Sequence, residues 1–355
     1  MERPYAFLAE WYDPQPMMVR EFLLKYYEEE QQVELFDLKT RRQFLKKSPL
    51  AVKASELYVG NEIVVHARVL KLVQFGDDFT RMSLESAVET SVALVTPDAT
   101  RDNARLGAVL SLLEADFSLR KLKLVQLTES EAMEACSILQ RDDGRRLFAG
   151  GRCVAVAVSG ASAVDRLVAA CGRIRDALGA NGTEDLVTPA PDAHAASLFG
   201  AFAFGPSRNL RGTARFGADC ACCVVRPHAV ADKHCGHIIA MIPFEISAME
   251  LFKLDAKAAS EFLEVYDGVV PDFQASVQHL ALGPCLALEL QGAGVVKQFR
   301  HLCGPWDLEF AKELRPDSIR AKFGHTTVKN AVHCTDLPDD GELESKYFFQ
   351  VLQSS

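Results

Sequence analysis

The chain has 355 residues, 48% hydrophobic content and a formal net charge of −9, which suits two or three domains, each able to bury its own core. The acidic balance excludes broad nucleic-acid binding and leaves local basic patches as the electrostatic handles. No apolar run reaches membrane-spanning length, and MERPYAFLAEWYDPQP lacks an apolar stretch between a basic start and a small-residue cleavage site, so no membrane contact is expected and the cytoplasm is the expected compartment. The ten cysteines, such as Cys153 and Cys285 in apolar runs, read as reduced core residues rather than disulfides.

Residues 1–88 read as a small β-rich domain. Val33 and Leu35, and then Ile63, Val65, Ala67 and Val69, alternate at the period of a strand, with SPLAVKAS and QFGDD as breaks. Lys39, Arg41, Arg42, Lys46 and Lys47 form a basic cluster that suits either an acidic partner or a solvated hairpin. An internal repeat follows over 91–206 and 220–353. ALVTPDAT (from Ala93) lies in register with CVVRPHAV (from Cys223), and GGRCVAVAVSG with LGPCLALELQG. Both copies read as strand, turn, amphipathic helix, strand, with Leu106, Val109, Leu110 and Leu113 on one helical face. The second copy's helix should stop at Pro243, earlier than the first copy's, because proline cannot continue a helix interior. Gly205 to Asp219 is polar and glycine-containing, and 207–219 reads as a linker.

Between Arg320 and Glu344 one histidine, His333, stands among groups suited to a phosphate. Asn330 precedes it by three residues, Thr335 and Asp336 follow by two and three, Glu344 follows by eleven and Arg320 precedes by thirteen. An imidazole attacks phosphorus through one ring nitrogen, so the other needs an acceptor such as Glu344 to fix tautomer and direction. Arginine and asparagine would then stabilise charge on the phosphoryl oxygens. The plainer reading of the same residues is a surface histidine beside an acidic loop. Cys220, Cys222, Cys223, His228, His234, Cys235 and His237 raise the question of zinc, but they lack paired CxxC elements, and adjacent strand residues point to opposite faces.

NAVHCTD with its upstream SIRAKFG resembles the active-site segment of the nucleoside diphosphate kinases. CCVVRPHAV, GPCLALEL and FRHLCGP match further pieces in the family's order. The resemblance implies an α+β chain with ferredoxin-like βαββαβ domains that moves a γ-phosphate from a nucleoside triphosphate such as ATP or GTP to a diphosphate through a phosphohistidine, with Mg²⁺ on the nucleotide. It implies His333 as nucleophile, Glu344 as its orienting carboxylate, and Arg226, Arg300, Arg320, Asn330 and Thr335 at the nucleotide. Phe273 is either a base-stacking ring or a core residue. There are departures: Arg226 replaces a lysine, an arginine that meets the β-phosphate falls at Val270, a tyrosine falls near Glu264 or, after a slip of register, at Tyr266, and a threonine donor becomes Trp306. At about 2–3 kcal/mol for each lost phosphate contact, two or three losses would lower turnover by at least about a thousandfold. In the first copy His194 precedes LFG (198–200), whereas His333 follows its matching KFG. That match sets Phe204 against His333 and Ala196 against Arg320, with Thr96 at the lysine position, and either VAACG or DALGANG against HLCG. An inactive first copy is expected.

YAFLAEWYDP, FLLKYY, VELFDLKTRRQFLKK and ELYVGNEIVV resemble the domain that precedes two kinase-like domains in the axonemal tandem nucleoside diphosphate kinase homologues. That resemblance implies a pleckstrin-homology-like (PH-like) β-sandwich and a structural inner protein of doublet microtubules in the cytoskeleton of a cilium or flagellum. Tubulin, neighbouring inner proteins and a γ-tubulin complex are the implied partners. An active kinase working through His333 is the alternative.

Overall fold

The computed structural model describes residues 3–13, 18–50, 52, 57–58, 61–66, 68–85, 89–141, 151–179, 185–205, 210, 212–217, 219–270 and 272–353; parts of the expected linker (206–209, 211, 218), of SPLAVKAS (51, 53–55) and of DALGANG (180–182) lie outside them. The chain divides into two compact units, Met1–Glu89 with Gly160–Ser162, and Thr90–Ser159 with Ala163–Ser355.

In the first unit six strands, β1 (Tyr5–Asp13), β2 (Met18–Tyr27), β3 (Gln32–Asp37), β4 (Arg42–Pro49), β5 (Glu62–Val65) and β6 (Arg68–Phe75), are followed by helix α1 (Asp78–Glu85). They form one sheet in the order β4-β3-β2-β1-β6-β5. Alternate residues turn inward, among them Phe7, Phe22, Leu24, Val33 and Leu35, and gather in one core. The alternation expected from Ile63 to Val69 is interrupted. Val65 pairs with Arg68 across a hairpin, with His66 at φ 46°, so the inward set passes from Ile63 and Val65 to Leu70 and Leu72, and Val69 is only half-buried. The five cations of the basic cluster are all exposed on the β3–β4 hairpin.

The second unit holds both repeats. The first copy comprises β7 (Glu89–Val95), α2 (Asn103–Asp116), β8 (Ser118–Gln126), α3 (Glu129–Ile138), β9 (Arg152–Gly160), α4 (Ala163–Leu178), β10 (Val187–Pro189) and α5 (Ala193–Phe204). The second begins with β11 (Cys220–Val225), α6 (Pro227–Ala231), α7 (Cys235–Met241), β12 (Glu245–Lys253), α8 (Ala256–Phe262) and α9 (Phe273–Ala281). It continues with β13 (Pro284–Gln291), α10 (Val295–Cys303), α11 (Leu308–Leu314), α12 (Ile319–Phe323), β14 (Val332–Cys334) and α13 (Asp340–Lys346). All eight strands form one sheet in the order β10-β7-β9-β8-β12-β13-β11-β14. Within each copy the fourth strand lies beside the first, the first beside the third and the third beside the second, the order of a ferredoxin-like βαββαβ unit. The fold is α+β, with two such units joined edge to edge through their second strands, where Glu250 pairs with Lys123.

Local chemistry explains the elements. Asp102 caps α2 by accepting from Arg105 N (2.7 Å), and Leu106, Val109, Leu110 and Leu113 are its buried face. In the second copy the counterpart of α2 is the shorter α7, which follows Lys233 at φ 64° and ends at Met241, ahead of Pro243. Helix α4 runs through Gly172 to Leu178, whereas α10 stops at Gly304, whose φ of 83° suits glycine.

Candidate functional site

Strand β14 lies against β11, with His333 opposite Val224. The His333 ring is buried between Phe262 (centroids 4.9 Å apart) and Tyr266 (6.1 Å). Its Nε2 lies 3.1 Å from Glu344 Oε2, on α13. Thr335 donates to the same carboxylate oxygen at 2.6 Å and accepts from Cys222 N at 2.8 Å. A carboxylate that accepts from Nε2–H fixes the tautomer in which the opposite nitrogen, Nδ1, carries the lone pair.

A group of donors surrounds the loop before β14. Arg226, at the N-cap position of α6 but with no side-chain bond to that helix, donates through Nη1 to Val328 O (2.6 Å). Arg320 donates through Nη1 to Gly304 O (2.8 Å) and through Nη2 to Val332 O (3.2 Å). Both guanidiniums are buried, as is Asn330. Burial, followed by the neighbouring Arg320 charge, pulls Arg226 down to about 10. Arg226 Nη2, Arg320 Nε and both amide atoms of Asn330 have no hydrogen-bond partner. Buried polar groups are ordinarily satisfied, because an unpaired one costs about 1–3 kcal/mol. Three residues with such atoms in one place are the chemistry of a site that takes a polar, anionic ligand. Arg300 stands at the rim, 3.2 Å from Asp336 Oδ1, and Tyr266 donates its hydroxyl to Asp336 Oδ2 at 2.6 Å. Burial, then that carboxylate, pushes the Tyr266 phenol upward.

Several expectations change. Of the two readings of Phe273, its position is that of a core residue: it packs with Leu254, Val277, Leu280 and Cys285, because positions 273, 277, 280 and 281 form the inner stripe of α9. Tyr266, rather than the exposed Glu264, is the residue at the site, so the slipped register is the one that forms. Val270 is half-buried and supplies no charge. Phe262 was not anticipated, nor was the buried pair of His228 and His279, with Nδ1 and Nε2 2.9 Å apart. Neither carries a sequence signal, since both depend on contacts across the fold. Cys222 and Cys223 enter cores on opposite faces of the sheet, and no group of three metal-ligating side chains occurs among the described residues.

The match of LFG to KFG is also corrected. LFG lies on α5, after β10, while KFG precedes β14, so Phe204 and Ala196 are not counterparts of His333 and Arg320. The ladders give the true register: Leu94 pairs with Thr188 as Val224 pairs with His333. Thr96 N bonds to Leu186 O as Arg226 N bonds to Ala331 O. The histidine position of the first copy is therefore Thr188, which accepts from Arg141 Nη1 at 3.1 Å.

Residues 219–353 match the family model of nucleoside diphosphate kinase. The chain is 37% identical over 382 residues to nucleoside diphosphate kinase homolog 7 of Mus musculus, covering 99% of this chain and 94% of that protein. It is 36% identical over 387 residues to the Rattus norvegicus protein of the same name, with the same coverage. Among solved structures, Aquifex aeolicus nucleoside diphosphate kinase matches at 33% identity with a TM-score of 0.36, covering 38% of this chain and 97% of that one.

Proposed function

The chain belongs to the nucleoside diphosphate kinase family, and from that premise we propose that its second copy binds the polyphosphate of a nucleotide and takes a phosphoryl group onto His333. The observation that carries this reading is the pairing of an oriented imidazole, held at Nε2 by Glu344, with buried and unpartnered donors on Arg226, Arg320 and Asn330. The Nδ1 lone pair attacks the γ-phosphorus, and the N–P bond forms as the bond to the β-phosphate oxygen breaks. The nucleoside diphosphate leaves, and a second diphosphate attacks the phosphohistidine and restores the ring. Glu344 stabilises the positive charge that the ring acquires. Mg²⁺ enters with the nucleotide as part of the substrate and screens its phosphates. Loss of charge at Val270 and of a donor at Trp306 makes turnover slow.

Incubation with γ-labelled ATP and Mg²⁺ followed by an acid-labile phosphate assay tests the reading. The wild type should carry label that a nucleoside diphosphate removes, and His333→Ala should carry none. An unlabelled wild type that still binds ATP would sink the transfer step.

A second reading is favoured by Thr188 at the first copy's nucleophile position and by five exposed cations on one hairpin of a chain with net charge −9. In it the protein is a structural component of ciliary or flagellar doublet microtubules, the basic hairpin meets acidic surfaces of tubulin or a γ-tubulin complex, and the first copy serves packing alone.

A further inference from the structure

Trp306 stands on the loop between α10 and α11, where the family pattern has a phosphate donor. Its ring centroid is 5.2 Å from the Arg226 guanidinium carbon and 5.3 Å from that of Arg320. Tyr266 stacks on it at 6.2 Å with 29° between the planes. The loop is fastened on both sides: Arg320 donates to Gly304 O at 2.8 Å, and Asp307 caps α11 by accepting from Glu309 N at 2.9 Å and Phe310 N at 3.2 Å. Two buried guanidiniums side by side repel each other, and the backbone carbonyls to which each donates, Val328 O for Arg226 and Gly304 O and Val332 O for Arg320, anchor them singly and not as a pair. An indole supplies what is missing, since the negative potential of its π face attracts both cations. Contact with an aromatic face also leaves in-plane N–H groups available, and Arg226 Nη2 and Arg320 Nε are without partners.

We propose that Trp306 is a positioning residue of the phosphate site, holding Arg226 and Arg320 as a preformed pair whose remaining N–H edges take the oxygens of a polyphosphate. The role rests on the phosphate-binding reading of the second copy and adds to it. A donor that would touch phosphate directly has been exchanged for a ring that acts through two arginines, so the site retains binding of the phosphate chain without the loop's own hydrogen bond. A ring acting as a lid would behave oppositely, because its removal would open the arginines to ligand.

The test uses the full chain as wild type, Trp306→Phe and Trp306→Ala. Calorimetric titration with inorganic tripolyphosphate should give the phenylalanine variant an affinity within about threefold of wild type and the alanine variant one about 10- to 30-fold weaker, the range of desolvated cation–π contacts. Unchanged or tighter binding by Trp306→Ala overturns the proposal. A second readout needs no ligand: NMR of the arginine Nε–Hε groups should show two signals shifted upfield by the indole ring current, lost in Trp306→Ala and partly kept in Trp306→Phe. Unshifted signals in the wild type overturn the proposal even if Trp306→Ala does not fold. If tripolyphosphate does not bind the wild type while the shifted signals are present, the phosphate reading fails and the pairing of the arginines stands by itself.

Discussion

His228 and His279 show how single residues tune the second copy. Ala331 N donates to His228 Nε2 at 3.3 Å, so His228 Nδ1 carries the proton and donates to His279 Nε2 at 2.9 Å. Both rings are neutral. Burial is the first cause that lowers each to about 3; the second ring, His325, Arg226 and Lys329 add to it at His228, and Arg226, Lys329 and His325 at His279. The folded values lie below the usual 6.5, so the stability they contribute is present above that pH and is lost as pH falls toward 3. Between pH 7.5 and 5.5 each ring should cost about 1.4 kcal/mol, one pKa unit's worth. Replacing His279 by Gln should remove one share: in urea unfolding followed by Trp306 fluorescence, the wild type should lose about 1.4 kcal/mol more than the variant over that interval. Equal losses would mean that the pair is not buried neutral. At this scale the sequence was legible where the partner is close along the chain, as for His333 and Glu344. Tyr266, Phe262 and His279 come from the preceding helical segments, and no spacing rule links them to β14.

Among elements, the crossing of α2 and α7 joins the copies. A Cβ on Gly107 would come within 2.6 Å of Ala240 N and 2.7 Å of Ala240 Cβ, and would also strike Gly236 O. Glu114 on α2 accepts from Gly236 N at 2.8 Å and Cys235 N at 3.2 Å. Asn103 donates to Ile242 O and Phe244 O at 2.8 and 2.6 Å. Gly107→Ala should therefore destabilise the second unit by about 1–3 kcal/mol, since backbone must move to admit the methyl. Gly172→Ala, with nothing within 4 Å of the added carbon in the middle of α4, should instead stabilise it by about 0.5–1 kcal/mol. Equilibrium unfolding of both variants checks the contrast, and a harmless Gly107→Ala would show that the helices are not in backbone contact. The helical period of α2 and the stop before Pro243 could be read in advance because both are local. The correspondence of LFG with KFG could not be tested without the ladders, and a three-residue identity misled where element order decided.

For the whole molecule, charge is distributed against its average. A chain of net charge −9 exposes Lys39, Arg41, Arg42, Lys46 and Lys47 on one hairpin, with Lys47 paired to Glu30 at 2.9 Å. Exposed ion pairs of this kind add little stability, so the hairpin can be altered without unfolding its sheet. Under the structural reading, replacing Lys39, Arg41, Arg42 and Lys46 by Glu should weaken co-sedimentation with microtubules by about tenfold or more at low salt and leave the melting temperature nearly unchanged. Undiminished binding would remove the hairpin from any such contact.

The sequence by itself determined the β-rich opening, the repeat and the residue types around His333, because strand alternation, helical period and short motifs are local properties of the chain, and the α+β class followed from the family resemblance that those motifs carry. Tertiary structure alone decided that the two copies share one eight-stranded sheet, that Thr188 stands where His333 stands, that Phe273 is core, and that Tyr266 and Trp306 close around Arg226 and Arg320. Each of these depends on pairing or packing between residues far apart in sequence, where register and burial are set by the whole fold and not by any window of it.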